Sequence, residues 1–263
     1  MNAAVQLEYN KATPGLKIAA YARGAGLFYL LIAISGGFSI GYVPTVIVAP
    51  GDASATALNI TNNLGLFRLG IVADIFVLML EVLLTVMLYR LFKTVSRTLS
   101  LIAAFFRLAM SMVMGLNLLN YLIPLLLLSG SSYLSAFESD QLQALALLFL
   151  ETHQYGVYIW GLFFGFHLLF LGYLIVKSGY FPKVIGILMM IGSIGYALES
   201  LVAISFIDNA IVSTAVITFL VIAVAGELSF ACWLLIKTIN VNEWAARAMN
   251  SAEDGSHRLP LVV

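Results

Sequence analysis

The sequence predicts an all-α membrane protein: a bundle of six transmembrane helices with a short interfacial helix between helices 3 and 4. Three observations carry that prediction. Of 263 residues, 62% are hydrophobic and 10% charged, with a mean hydropathy of +1.01, whereas soluble domains run at about 45–50% apolar and about 25% charged. Six apolar runs approach or exceed the ~20 residues a helix needs to cross a hydrocarbon core of ~30 Å. Lys and Arg are confined to alternate connections, as a positive-inside topology requires. Other classes are excluded by charge and cysteine. The net charge is +0 from 13 basic and 13 acidic residues, with no massed basic stripe, so there is no nucleic-acid footprint. The single cysteine, Cys232, rules out an internal disulfide and a thiolate metal cage. Inside an apolar run it reads as a small buried hydrophobe.

Taken in order, residues 1–23, with Glu8, Lys11, Pro14, Lys17 and Arg23, read as a polar cytoplasmic segment. The first span, 24–48, is longer than the about 7–15 residues of a signal-peptide core, so it reads as an uncleaved helix despite Ala53-Ser54-Ala55 beyond it. Gly37 and Gly41 form a Gly-x-x-x-Gly expected to admit a neighbouring helix. Residues 50–63 read as a polar loop without Lys or Arg, and its Asn59-Ile60-Thr61 matches a glycosylation sequon, a pattern of low specificity. The second span, 64–91, holds Arg68, Asp74 and Glu81 and ends at Arg90, Lys93 and Arg97. The third, 99–128, holds Arg107, Asn117, Asn120, Tyr121 and Pro124; proline is tolerated where neighbouring helices satisfy the freed backbone.

Residues 129–155 open as a turn, and their apolar part, only about ten residues long, reads as the interfacial helix. The fourth span, 156–176, carries His167 and the packing pair Gly161 and Gly165, and closes in a Gly- and Pro-punctuated turn at 177–183. The fifth, 184–206, carries Glu199, and the sixth, 211–236, carries Glu227. Residues 238–263 read as a cytoplasmic tail with an amphipathic turn around Trp244. With both termini inside, every Lys and Arg lies on the cytoplasmic side except Arg68 and Arg107, which lie within spans. Asp52, Glu138, Asp140, Glu151 and Asp208 fall outside. The expected location is the cell membrane, spanned several times.

The ionisable groups within the spans are the functional signal. Each costs at least ~2.5–3.5 kcal/mol at mid-bilayer, so each needs a partner. Asp74 and Glu81, seven residues apart, share a helix face. At ~1.5 Å per residue, Glu81, Arg107, Glu227 and His167 all fall ~12–15 Å from the inner ends of their helices. A second tier, of Arg68, Asp74, Asn117, Asn120 and Glu199, lies further out. Glu81 is expected to pair with Arg107, because helices joined by a short loop are antiparallel neighbours. Two arginines, Arg68 and Arg107, face four acids, Asp74, Glu81, Glu199 and Glu227, so at least two acids lack a basic partner. Burial disfavours such an unpaired charge, and these acids would hold or exchange a proton.

The candidates for ligand binding or proton handling are therefore Arg68, Asp74, Glu81, Arg107, Asn117, His153, His167, Glu199 and Glu227. His-Glu-x-x-His, Gly-x-Ser-x-Gly and P-loop motifs are absent, no catalytic residue stands out, and neither metal nor cofactor is called for. The leading reading is a protein that binds or moves a small amphiphilic ligand, a lipid or a proton through a polar intramembrane site. The alternatives are an intramembrane enzyme on a lipid or quinone-like substrate, with His167 or His153 and a carboxylate as acid–base groups, and a structural accessory subunit in which the polar groups only fix helix register. Expected partners are membrane lipids and a small-molecule ligand; a homo-oligomer is left open.

Several short motifs carry a family likeness: Ala22-Arg23-Gly24, Asn59-Ile60, Leu66-Phe67-Arg68-Leu69-Gly70, Leu88-Tyr89, Phe106-Arg107-Leu108 and His153 through Tyr155-Gly156. Phe163-Phe164-Gly165, Leu171-Gly172-Tyr173-Leu174, Ser178-Gly179-Tyr180-Phe181-Pro182, Gly186 and Gly195-Tyr196 continue the series. In this order they resemble the bacterial membrane family known as domain of unknown function 4386. The resemblance implies a polytopic membrane fold, places Arg68, Arg107 and His153 within its motifs, and brings no catalytic residues with it.

Overall fold

A computed structural model describes residues 3–206 and 209–256, so the expected positions of Asp208 and Arg258 lie outside the described residues. α1 (Ala3–Gly36) continues through a π-helical turn (Gly37–Tyr42) into the short α2 (Val43–Ile47), and α3 (Ala53–Asn62) follows. The long α4 (Leu64–Phe92) and α5 (Arg97–Leu127) come next, then a 3-10 turn (Ser132–Ala136) and α6 (Ser139–Ser178). α7 (Lys183–Ile204), α8 (Ala210–Ile236) and α9 (Val241–Ser256) complete the order. Six helices are long and apolar enough to cross a membrane: Lys17–Ile47, α4, α5, α6, α7 and α8.

The buried seams explain how these helices assemble. On α5 the buried positions include Ser100, Ala103, Arg107, Met110, Met114, Asn117, Tyr121 and Pro124, a strict alternation of three and four. On α4 the seam runs through Phe67, Ile71, Asp74, Glu81, Leu84, Leu88 and Leu91. A repeat of 3.5 keeps one face on a neighbouring helix along its length. The opposite face of α4 (Val72, Ile75, Phe76, Met79, Val82, Leu83, Val86) is exposed and apolar, as a lipid-facing surface must be. Each spanning helix packs on its sequence neighbour, and α1 packs on both α8 and α4, so the six close into a ring in the order α1, α4, α5, α6, α7, α8. Lipid tails are as apolar as leucine, so close packing rather than hydrophobic burial has to hold such a ring. Glycines meet that need: Gly172 and Gly186 abut each other's backbones, Gly165 lies against Ser193 and Tyr196, and Gly192 against Ala223.

One end of the ring carries Arg90, Lys93, Arg97, Lys177, Lys183 and Lys237 and is called here the basic face. There Tyr180 Oη donates to the Leu91 carbonyl at 2.7 Å, and Trp244 Nε1 of α9 donates to the same oxygen at 3.1 Å. Two donors thus satisfy a carbonyl that the end of α4 leaves free. Burial pushes the Tyr180 phenol above its usual range, so it remains a donor at neutral pH. The tail is therefore docked through α9, and not merely a turn.

Several segments differ from the sequence expectation. Residues expected as a polar loop at 50–63 include α3, capped by Asp52, whose Oδ1 accepts from the Ala55 amide at 2.9 Å; Thr56, Ala57 and Ile60 are its buried face. Residues 139–155, expected as a separate interfacial helix, run on into the fourth span as one helix of 40 residues. Gly156 does not interrupt it, because the site of its absent Cβ is taken by the Asn117 side chain of α5. The extra length of α6 packs on α3, and the two cover the face opposite the basic one. Gly37 and Gly41 meet nothing within 4 Å, so their spacing serves the π-helical turn and not helix approach. Cys232 is exposed on the outside of α8 rather than buried. Helix α1 runs without a break across residue 23, the expected end of the polar segment.

Candidate functional site

Inside the ring, every spanning helix contributes one residue to a continuous polar network: Tyr29 from α1, Glu81 from α4, Arg107 from α5, His167 from α6, Tyr196 from α7 and Glu227 from α8. Arg107 is its hub and is 1% exposed. Its Nε lies 2.6 Å from Glu81 Oε2, the pairing expected from the helix order; the two atoms lack hydrogen-bond alignment, so the contact is an ion pair. Its Nη1 lies 2.8 Å from His167 Nε2, and its guanidinium sits 5.2 Å from the centre of the Tyr29 ring.

A guanidinium only donates, so His167 Nε2 must accept, which puts the imidazole proton on Nδ1. That N–H then donates to the Ala103 carbonyl at 2.9 Å. His167 is thus a neutral, fully occupied imidazole. Both nitrogens are committed, which argues against the acid–base role expected for it in an intramembrane enzyme.

Glu227 is held differently. Tyr29 Oη donates to its Oε2 at 3.1 Å and Tyr196 Oη to its Oε1 at 3.2 Å, and no cation pairs with it among the described residues. The residue as a whole is half-buried, with its carboxylate held between α1, α7 and α8. Sequence reasoning missed both tyrosines, because an aromatic residue in a spanning run reads as lipid-facing or as part of an interfacial belt. The available signal was the phenol: a tyrosine hydroxyl at hydrocarbon depth needs a partner. Beside the network, towards the basic face, lies a cavity of about 10 Å³ lined by Thr85, Ser100, Ala103, Arg107, His167 and Leu171, among others. That is room for about one water.

A second polar group lies nearer the opposite face. Asp74 accepts a hydrogen bond from Ser39 of the π-helical turn. Asn117 Nδ2 donates to the His153 carbonyl at 2.8 Å, and His153 Nδ1 lies 3.2 Å from the Asn117 carbonyl, so α5 and α6 are tied twice. Asn120 donates to Asn117 Oδ1 at 3.1 Å, and the His153 ring stacks on Tyr121 with centroids 4.3 Å apart. Two candidates stand apart from both groups. Arg68 is exposed, because Phe67 and Gly70 on either side of it occupy the buried seam of α4. Glu199 is half-buried on α7 and has no hydrogen bond or ion pair among the described residues. Among the described residues no group of His, Cys, Asp and Glu could hold a metal ion.

A closed ring of six apolar helices around a buried charge network defines a polytopic helical membrane protein. The chain belongs to the family described as Domain of unknown function (DUF4386), whose model matches residues 24–238 and so takes in both polar groups. It is also similar to a protein of the archaeon Archaeoglobus fulgidus described as uncharacterized, at 31% identity over 174 residues, covering 66% of this chain and 86% of the relative. The likeness is therefore not confined to bacteria. No solved structure matches the chain.

Proposed function

We propose that the protein handles protons, taking up and releasing one at the Glu227 end of its six-helix network. The observation that carries this reading is a count of charges: the network holds two acids, Glu81 and Glu227, and one cation, Arg107. Arg107 is committed to Glu81 and His167, so Glu227 keeps only two phenol donors. An unpaired carboxylate at bilayer depth is costly, and a proton is the smallest species that removes the charge. The cavity at the Arg107–His167 end of the network has room for about one water and none for an amphiphile, which favours a proton as the species handled. The distribution of Lys and Arg supports placing the basic face in the cytoplasm, with the one-water cavity on that side.

The test is proton flux. Reconstituted into vesicles enclosing a pH-sensitive dye, the wild-type protein is expected to dissipate an imposed pH gradient faster than empty vesicles do. Glu227→Gln, which keeps shape and loses the exchangeable proton, is expected to lose most of that flux. Wild-type flux in Glu227→Gln, or no flux above empty vesicles in the wild type, overturns the reading.

A further inference from the structure

Asp74 has no role in the network above, yet it is buried, at 2% exposure. It lies on the same seam of α4 as Glu81, seven residues and therefore ~10.5 Å nearer the face covered by α3 and the start of α6. One of its oxygens accepts from Ser39, and the other, Oδ2, has no partner. The Tyr121 hydroxyl from α5 is also buried without a partner, in a ring only 2% exposed that packs on Phe67 of the same α4 seam. Two orphaned oxygens therefore lie at this end of the ring, not bonded to each other.

The groups around that site are few. The π-helical turn offers Ser39, α5 offers Tyr121, and α6 offers His153, which stands behind the Tyr121 ring. Arg68, the nearest cation on α4 itself, is exposed on another face. The apolar shell packed at this end of the ring includes Val43, Ile47, Phe67, Ile71 and Leu150. Such a shell supplies far fewer oxygens than the six to eight a hard metal ion such as calcium takes. It can still hold a neutral carboxylic acid, which brings no charge that needs balancing. The π-helical turn adds a second, independent pointer, since such turns are frequent at functional sites.

We propose that Asp74 is a second proton-binding site, with Ser39 as its hydrogen-bonding partner, and that it relays protons along the α4 seam to Glu81 and Glu227. The relay rests on the reading of Glu227 as a proton site; the protonated state of Asp74 does not. The bond changes balance simply: Asp74 Oδ2 gains a proton from a water on the solution side and gives it up, unchanged in oxidation state, to a water that carries it across the ~10.5 Å to the level of Glu81.

The decisive measurement is infrared spectroscopy of the full chain in lipid vesicles, comparing wild type with Asp74→Asn. A protonated-carboxyl C=O band is expected at neutral pH in the wild type and is expected to be lost in Asp74→Asn. Tyr121→Phe, which removes no hydrogen bond to Asp74, is expected to leave that band in place, and Asp74→Glu to move it while keeping an acid, which covers the case in which the asparagine variant does not fold. A wild-type spectrum without a band assignable to Asp74 overturns the proposal. Flux separates this inference from the one it builds on. Loss of flux in both Asp74→Asn and Glu227→Gln supports the relay. Wild-type flux in Asp74→Asn with loss in Glu227→Gln overturns the relay and leaves Glu227 standing. Wild-type flux in Glu227→Gln removes the proton reading of the network, and with it the relay, while the infrared band still decides whether Asp74 carries a proton.

Discussion

Glu81 and Asp74 occupy equivalent positions on one helix, seven residues apart on the same buried seam, and their surroundings are opposite. Glu81 meets a guanidinium that is itself bound to a histidine and lies over a tyrosine ring. Asp74 meets one serine hydroxyl and an apolar shell. The difference lies in the neighbouring helix. At the level of Glu81, the α5 seam presents Arg107; seven residues along, at the level of Asp74, the same seam presents Met114. Charge partnership in this ring is therefore set by which residue fills a seam position on α5.

The largest test of this comparison is Arg107→Leu. It leaves the Glu81 carboxylate uncompensated and removes the donor to His167 Nε2, and breaking a buried pair in this way costs about 3–5 kcal/mol. Unfolding of the purified protein in mixed micelles with a denaturing detergent is expected to show a loss of that size. The double variant Arg107→Leu with Glu81→Gln is expected to recover much of it, because no charge is then left unpaired. A double variant as unstable as the single one would mean that Arg107 acts through its contacts to Tyr29 and His167 rather than through Glu81. Arg107→Lys is not expected to substitute, since one ammonium lacks the planar fork that reaches Glu81 and His167 at once.

A smaller loss is expected where the comparison depends on packing. Gly156→Ala places a methyl group on the Asn117 side chain. Asn117 must then move, and its 2.8 Å hydrogen bond to the His153 carbonyl goes with it. Overpacking of this kind costs about 1–3 kcal/mol. The loss is expected in the same unfolding assay, with the pairing of Glu81 and Arg107 untouched. If Gly156→Ala is neutral, α5 and α6 are looser at this level than the double tie between Asn117 and His153 implies.

Much of this arrangement was legible in the sequence, and the reason differs by feature. The spanning helices follow from hydropathy because hydrocarbon imposes helices of a minimum length. The pairing of Glu81 with Arg107 follows from depth and a short connection. The convergence of Glu81, Arg107, His167 and Glu227 follows from equal depth alone. Less was legible wherever direction around a helix mattered. Arg68 shares a helix with Asp74 and Glu81 but is one residue off the seam, next to Phe67, and depth carries no information about rotation. Tyr29 and Tyr196 were hidden among many aromatic residues with the same average preference. The continuity of α6 through Gly156 could not be read from a glycine that in most contexts weakens a helix; it depends on Asn117, 39 positions earlier in the chain.

The smallest expected effects bear most directly on whether Asp74 carries a charge. Asp74→Asn removes no ion pair and retains an oxygen that accepts from Ser39. Its cost is expected to be that of one polar contact between spanning helices, about 0.6 kcal/mol and no more than about 1.7. Tyr121→Phe deletes a hydroxyl that has no partner, so it is expected to be neutral or slightly stabilising, within about 0.5 kcal/mol. Both are read in the same unfolding assay, beside Glu81→Gln as the reference for losing half of a true ion pair. An ionised Asp74 would tie the two results together in another way: it would need the Tyr121 hydroxyl as a donor, and Tyr121→Phe would then destabilise by as much as a buried charge-assisted hydrogen bond, about 1.5–3 kcal/mol. A neutral Tyr121→Phe together with a small cost for Asp74→Asn is expected only if the carboxyl is already uncharged, because no other group facing it removes the charge.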